Sequence, residues 1–176
     1  MRTQDQGLIS TASPVHAEIV DWMMTEAELL DEYREREWLE TRVSKDVVYQ
    51  VPLRQTVERS RGFGFAEDTF HLDERYGSLE SRVLRNETQF AWAEDPPSRI
   101  RHFVTNVRVS ETGPDSYGVR TNLLVYRTRQ DQVTPQLLGG ERKDVLRREG
   151  AALVLHRRRV LLDLTVIGTH NLSIFF

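Results

Sequence analysis

The sequence contains no cysteine. That absence excludes a disulfide framework, a thiolate nucleophile, a Cys-ligated zinc site and an iron–sulfur cluster held by this chain alone. Lysine is nearly absent as well. Of 24 cationic residues, only Lys45 and Lys143 are lysine and the rest are arginine. The planar guanidinium suits buried and interfacial ion pairs, and interfaces enrich Arg over Lys; an Arg-favouring genome gives the same bias. No apolar run approaches the ~20 residues that a bilayer crossing requires. The opening Met-Arg-Thr-Gln-Asp-Gln-Gly has no apolar core and no cleavage pattern, so no secretory leader and a cytoplasmic location are expected. An excess of positive charge is also missing. The net charge is −3, which argues against a nucleic-acid binder. There is no Gly-x-Ser-x-Gly, Gly-x-Gly-x-x-Gly, P-loop or His-Glu-x-x-His pattern, so the usual nucleophile elbow, nucleotide cradles and zincin site are excluded.

What is present is an ordinary globular composition: 176 residues, 39% hydrophobic and 29% charged. Residues 1–12 are polar and read as a flexible N-terminal arm, and residues 13–176 as one domain. Charge is uneven. Residues 1–50 hold five cations and eleven anions, and residues 141–159 hold seven cations and three anions. The two regions could attract each other within or between chains, or simply be solvated faces.

Ser13-Pro14 has the chemistry of a helix start. Val15, Ile19, Trp22, Met23, Ala27 and Leu30 follow at helical spacing. A second short helix is predicted around residues 35–42, with Trp38 and Leu39 facing inward. Residues 46–53 read as a strand that Pro52 closes or places at an edge. Residues 54–70, with Gly62-Phe63-Gly64-Phe65, lack a period and read as a long loop with exposed aromatics. Leu72, Tyr76, Leu79 and Val83 predict a third helix over residues 70–86. Pro96 and Pro97 then impose an extended turn. From residue 99 the period becomes two. Over residues 101–111 it places Phe103, Thr105, Val107 and Val109 on one face and His102, Val104, Asn106 and Arg108 on the other. Further strands are predicted over 116–129, 137–149 and 151–167, the last interrupted near Arg157-Arg158-Arg159. Gly139-Gly140 suggests a bulge or tight turn. Residues 171–176 form an apolar tail expected to dock. Helices first and strands after is an α+β pattern: a curved antiparallel sheet with helices on one face.

Few residues suggest chemistry. The chain has five histidines. His71-x-Asp73 with a later His could formally build a facial iron triad, but Asp73 also suits a helix cap. His102, Asp163, Tyr49 or Tyr126 could line a pocket and move protons, or be satisfied structural groups. The densest segment, residues 92–108, gathers one Trp, two Pro, three Arg and one His. An aromatic anchor, guanidinium forks and a rigid backbone suit a protein interface; a rigid corner within one chain reads equally well.

At this segment the sequence resembles the small (β) subunit of bacterial aromatic-ring-hydroxylating dioxygenases of the biphenyl, naphthalene and toluene type. The markers are Glu26-Ala-Glu-Leu-Leu-Asp31, Trp38-Leu39, Val48-Tyr49 to Pro52, Arg82-Val83, Trp92 to Ser98, Arg101-His102 and Asn106-Val107-Arg108. Later ones are Arg142-Lys-Asp144-Val-Leu-Arg147-Arg148, Leu162-Asp163 and Asn171-Leu-Ser-Ile-Phe-Phe176. The resemblance implies a cone-shaped α+β fold like nuclear transport factor 2 and scytalone dehydratase, with a curved mixed or antiparallel sheet and about three N-terminal helices. It implies no catalytic, metal or cofactor residues on this chain. The implied partner is a large α subunit carrying a Rieske [2Fe–2S] cluster and mononuclear Fe(II), assembled as α3β3 with other β subunits. NADH would act indirectly through a reductase, often with a ferredoxin, and neither nucleic acid nor membrane would be bound. Candidate subunit-interface residues are Trp92, Asp95, Pro96, Arg99, Arg101, His102, Asn106 and Phe176. The alternative is a stand-alone cone-fold isomerase or dehydratase using pocket acid–base residues, and a small-ligand binding module is a third reading.

Overall fold

The computed structural model describes residues 7–58, 60, 62–87, 97–168 and 172–176. The first helix, α1 (Pro14–Asp31), starts where expected: Ser13 is extended at the N-cap and Pro14 opens the first turn. Its buried stripe holds Ile19, Trp22, Met23, Leu29 and Leu30, but also a fully buried glutamate, Glu26. Helix α2 (Glu35–Arg42) buries Trp38 and Leu39. Strands β1 (Val43–Arg54) and β2 (Phe65–Glu74) precede helix α3 (Tyr76–Glu87). Four long strands follow: β3 (Arg99–Gly113), β4 (Ser116–Thr128), β5 (Gln136–Glu149) and β6 (Ala152–Leu162).

The strands form one sheet in the order β2-β1-β6-β5-β4-β3. Every neighbouring pair is antiparallel except β1 and β6, which run parallel. That mixed pairing follows from the helices. The chain enters the sheet at β1, leaves through β2 and α3, and returns at the far edge. Strand β4 shows the cause of the layering: Val119, Thr121, Leu123, Val125 and Arg127 are buried and alternate with exposed residues. Period-two burial directs one face toward the helices and leaves the other to solvent. Helix α1 packs on β3 and helix α3 on β1.

Five expectations need correction. The segment 54–70 is not all loop, because Phe65–Glu74 is strand β2, paired with β1. As the edge strand it buries no residue fully, so it lacks the apolar alternation that marks an inner strand. The third helix therefore starts at Tyr76, and His71 and Asp73 lie on a strand. The alternation in β3 also reverses midway. A register shift lies between Thr105 and Arg108, and Asn106 has a φ of 55°. Asn tolerates this left-handed conformation, and the extra residue flips the strand. As a result Ile100, His102 and Val104 face inward before the bulge, and Val107 and Val109 after it, whereas Phe103 is exposed. Strand β6 runs unbroken through Arg157–Arg159, with Arg158 fully buried. Gly139 and Gly140 pair in register within β5. A Cβ on Gly140 would stand 2.3 Å from the Leu161 carbonyl oxygen, so close strand approach, not a turn, requires glycine there.

The tail docks as expected. Ile174, Phe175 and Phe176 are buried, and Phe175 packs on Trp38 with ring centroids 4.8 Å apart. Two buried phenylalanines contribute about 1.5–3 kcal/mol each. Arg82 of α3 holds the segment by donating to the carbonyls of Leu172 and Ile174.

Candidate subunit-docking surface

Strand β3 is a sheet edge, and an open edge is a template for pairing unless it is covered. One end is covered by this chain's own N-terminal residues. Ile9 N–H donates to the Val109 carbonyl (2.9 Å), and Glu111 N–H donates to the Gly7 carbonyl (3.3 Å). Near the other end, the last residue of α1 closes the edge. The His102 backbone N–H donates to Asp31 Oδ1 at 3.0 Å, and His102 Nδ1 lies 2.7 Å from the same oxygen. His102 Nε2 lies 2.9 Å from the Phe175 carbonyl oxygen. Both ring nitrogens thus face acceptors, and His102 ties α1, β3 and the tail together.

The neighbours of His102 point the other way. Arg99 and Arg101 are exposed; Arg101 Nη1 stands 3.8 Å from Asp31 Oδ2, and Arg99 reaches the Gln130 carbonyl. Beside them lies a groove of about 550 Å³ lined by Arg99, Arg101, Asp31, Tyr33 and Tyr126. The outer sheet face next to it is apolar. Phe103 stands opposite Leu124, and Tyr126 opposite Leu137, and all four are exposed. A contiguous exposed apolar patch of this kind marks an interaction surface. Periodicity missed it, although Leu123-Leu124-Val125-Tyr126 carries the signal, since a strand apolar on both faces is covered on both faces.

Of the candidate interface residues, Arg99, Arg101, His102 and Asn106 thus share one edge strand, with Asn106 exposed at its bulge. Phe176 is elsewhere, fully buried within the chain. Trp92, Asp95 and Pro96 lie outside the described residues.

Beneath the sheet lie large buried side chains, several of them charged. Trp38, Tyr49, Arg142, Arg158 and Phe176 are among the largest fully buried side chains. Arg158 donates to Asp144 (2.9 and 2.8 Å), to Glu26 (2.7 Å) and to the Phe176 carbonyl. Arg142 Nη2 lies 3.2 Å from Glu26. Its Nε lies 3.1 Å from Asp144, at ion-pair distance but outside hydrogen-bond geometry. Trp38 Nε1 donates to Glu26 at 3.0 Å, and Phe176 N–H to Tyr49 Oη at 2.7 Å. Two guanidiniums and two carboxylates make a neutral set, the condition under which buried charges are tolerated. Burial alone would raise the Glu26 carboxyl, but Arg158 and Arg142 outweigh it and hold it below the usual carboxylate range. Burial likewise opposes the charge on Arg158, and Asp144 and Glu26 reverse that effect and raise it. Sequence reasoning left Arg158 without a role. The signal was a charged residue between apolar neighbours on an inner strand.

The acid–base candidates do not converge. Tyr49 is buried against Phe176, and His102 is held by Asp31 and Phe175. Tyr126 is on the outer face, and Asp163 is exposed and paired to Arg54 at 2.8 Å. The metal candidates fare no better. Asp73 accepts from Gln50 and Arg75, and no group of three or more His, Cys, Asp or Glu suited to a metal occurs among the described residues. No helix among the described residues is long and apolar enough to cross a membrane.

Comparison with known proteins fits this arrangement. Residues 25–169 match the family described as ring hydroxylating beta subunit. The chain is 36% identical over 168 residues to the 3-phenylpropionate/cinnamic acid dioxygenase subunit beta of Photorhabdus laumondii subsp. laumondii, covering 92% of each. It superposes on a chain of naphthalene 1,2-dioxygenase with a TM-score of 0.81 and 29% identity, covering 91% of this chain and 84% of that one. A candidate scytalone dehydratase from Novosphingobium aromaticivorans shares the fold alone, with a TM-score of 0.64 and 13% identity over 89% of this chain and 90% of that one. The fold is therefore the cone-shaped α+β fold expected, and the chain belongs to the β-subunit family of the ring-hydroxylating dioxygenases.

Proposed function

We infer that this chain is the non-catalytic, structural β subunit of a terminal oxygenase, and that the complex cis-dihydroxylates an aromatic hydrocarbon. The reaction would add both atoms of O₂ to adjacent ring carbons. Electrons would come from NADH through a reductase, with or without a ferredoxin. The observation that carries the reading is the donor chemistry of a chain that belongs to an oxygenase family. A Rieske cluster takes two thiolates as well as two imidazoles, and this sequence has no cysteine. His102 is engaged at both nitrogens and Asp73 by two donors. These residues do not fit either iron centre, so both centres are assigned to the large α subunit. The chain's part is to brace that subunit. Arg99, Arg101, His102 and Asn106, with Trp92, Asp95 and Pro96 preceding them, form the proposed contact, in an α3β3 hexamer that also joins β subunits. Phe176 acts there indirectly, by fixing His102 through the tail.

The test is co-expression with the large subunit, followed by measurement of mass, iron content and product on several arenes. The reading expects a hexamer with iron and turnover, and neither iron nor turnover in the isolated chain. Arg101→Ala and Asp95→Ala are expected to release smaller species while assembled enzyme keeps its turnover per iron. Mutants that assemble normally but lose turnover would overturn it.

A further inference from the structure

The outer sheet face carries a second feature that the β3 edge does not use. Arg108 stands opposite Arg120, Arg120 opposite Lys143, and Lys143 opposite Arg159. Four cations thus cross four adjacent strands in a single line. Strands about 4.8 Å apart make that line roughly 14 Å long. Arg157, exposed on the same strand as Arg159, stands beside it. Like charges directly opposite on a sheet destabilise it. Relief within the chain is partial. Glu141 pairs with Lys143 at 3.3 Å, and Arg159 donates to the Ala66 carbonyl. Arg108, Arg120 and Arg157 have no ion-pair partner among the described residues. Two open grooves of about 610 and 570 Å³ flank the line, and exposed Phe63 borders the first.

The geometry points to this cationic line as a docking site for a row of carboxylates on the large oxygenase subunit, which deepens the function proposed above and rests on it. Three arguments select that occupant. One row, Thr105, Asn122 and Glu141, separates the line from the apolar patch of Phe103, Leu124, Tyr126 and Leu137 on the same face, and an apolar centre with a polar, charged rim is the anatomy of a protein interface. A nucleic acid would meet a chain of net charge −3, with repulsion beyond the line. A second copy seated face to face would set this cationic line against its own counterpart, and like charges across an interface repel.

The test uses the complex of this chain with its co-expressed large subunit. Affinity is measured at 50 and 500 mM salt for the wild type and for Arg108→Glu/Arg120→Glu. The reversal is expected to weaken binding at least about tenfold at low salt and to flatten the salt dependence. In the isolated chain, Arg120→Gln is expected to raise Tm by about 1–2 °C, because it removes a like-charge contact, while it weakens the complex. That opposition of sign separates docking from a structural role. Equal affinity and equal salt dependence in the reversal would overturn the site and leave the β-subunit reading intact. Wild-type protein that fails to bind the large subunit at all would overturn the reading itself. Wild-type self-association that the reversal abolishes would assign the face to a second copy and overturn the proposal.

Discussion

Replacing Arg158 with methionine tests the interior of the cone most sharply. Arg158 is fully buried and makes three hydrogen bonds to two carboxylates, plus one to the Phe176 carbonyl. Arg158→Met keeps most of the volume and removes the charge. Glu26 and Asp144 are then left with Arg142 as their one buried cation, and the cluster changes from neutral to net negative. Removing one partner of a buried ion cluster costs about 3–5 kcal/mol, against a total stability of roughly 5–15 kcal/mol. With a urea m-value near 2 kcal/mol/M, the midpoint falls by about 2 M. The assay is urea unfolding followed by tryptophan fluorescence, since Trp22 and Trp38 are buried and Trp38 donates to Glu26. The control is the full replacement Glu26→Gln, Arg142→Met, Asp144→Asn and Arg158→Met, which restores neutrality. It is expected to be nearer the wild type than the single change. A loss below about 1 kcal/mol for Arg158→Met, or a quadruple variant less stable than the single one, would refute the reasoning.

Other expectations follow from the same geometry. The depressed carboxyl of Glu26 contributes stability that is present above the unfolded carboxylate value of about 4.3 and is lost as pH falls through its lower folded value. The urea midpoint of the wild type is therefore flat from pH 7 to about 5 and falls below about 4, and the fall is shallower in Arg158→Met. An equally steep fall in both would exclude Glu26 as a source. Gly140→Ala places a methyl 2.3 Å from the Leu161 carbonyl oxygen and is expected to lower stability by about 1–3 kcal/mol in the same assay; a neutral result would mean that β5 and β6 can part freely. Asp31→Ala removes the acceptor of the His102 backbone and ring, leaves donors unsatisfied at about 1–3 kcal/mol, and is expected to speed amide exchange at His102 and along the tail.

Much of the fold was legible because α1, β4 and β5 obey their periods. The Ser13-Pro14 start, the alternation of Val119 to Val125 and the docking of Phe175 and Phe176 follow from local chemistry and burial. The failures have one physical source: signals that depend on a neighbour. Strand β2 pairs with β1 along one side and buries little, so its residues carry no apolar period. The bulge at Asn106 reverses the faces of β3 through a single positive φ, which composition does not announce. Gly140 is read correctly only when β6 lies against it. The candidate site divides in the same way. The clustering of Arg99, Arg101, His102 and Asn106 on one stretch was visible from spacing, but His102 turning inward to Asp31 was not, because Asp31 is 71 positions away. The four-cation line comes from four separate strands and exists only in the register.

Iron and turnover, measured side by side on the isolated chain and on its complex with the large subunit, test the central claim most directly. The account predicts an iron-free, inactive chain that becomes part of an iron-bearing, ring-hydroxylating hexamer only with that partner. Stoichiometric iron or turnover of an arene by the isolated chain would contradict it.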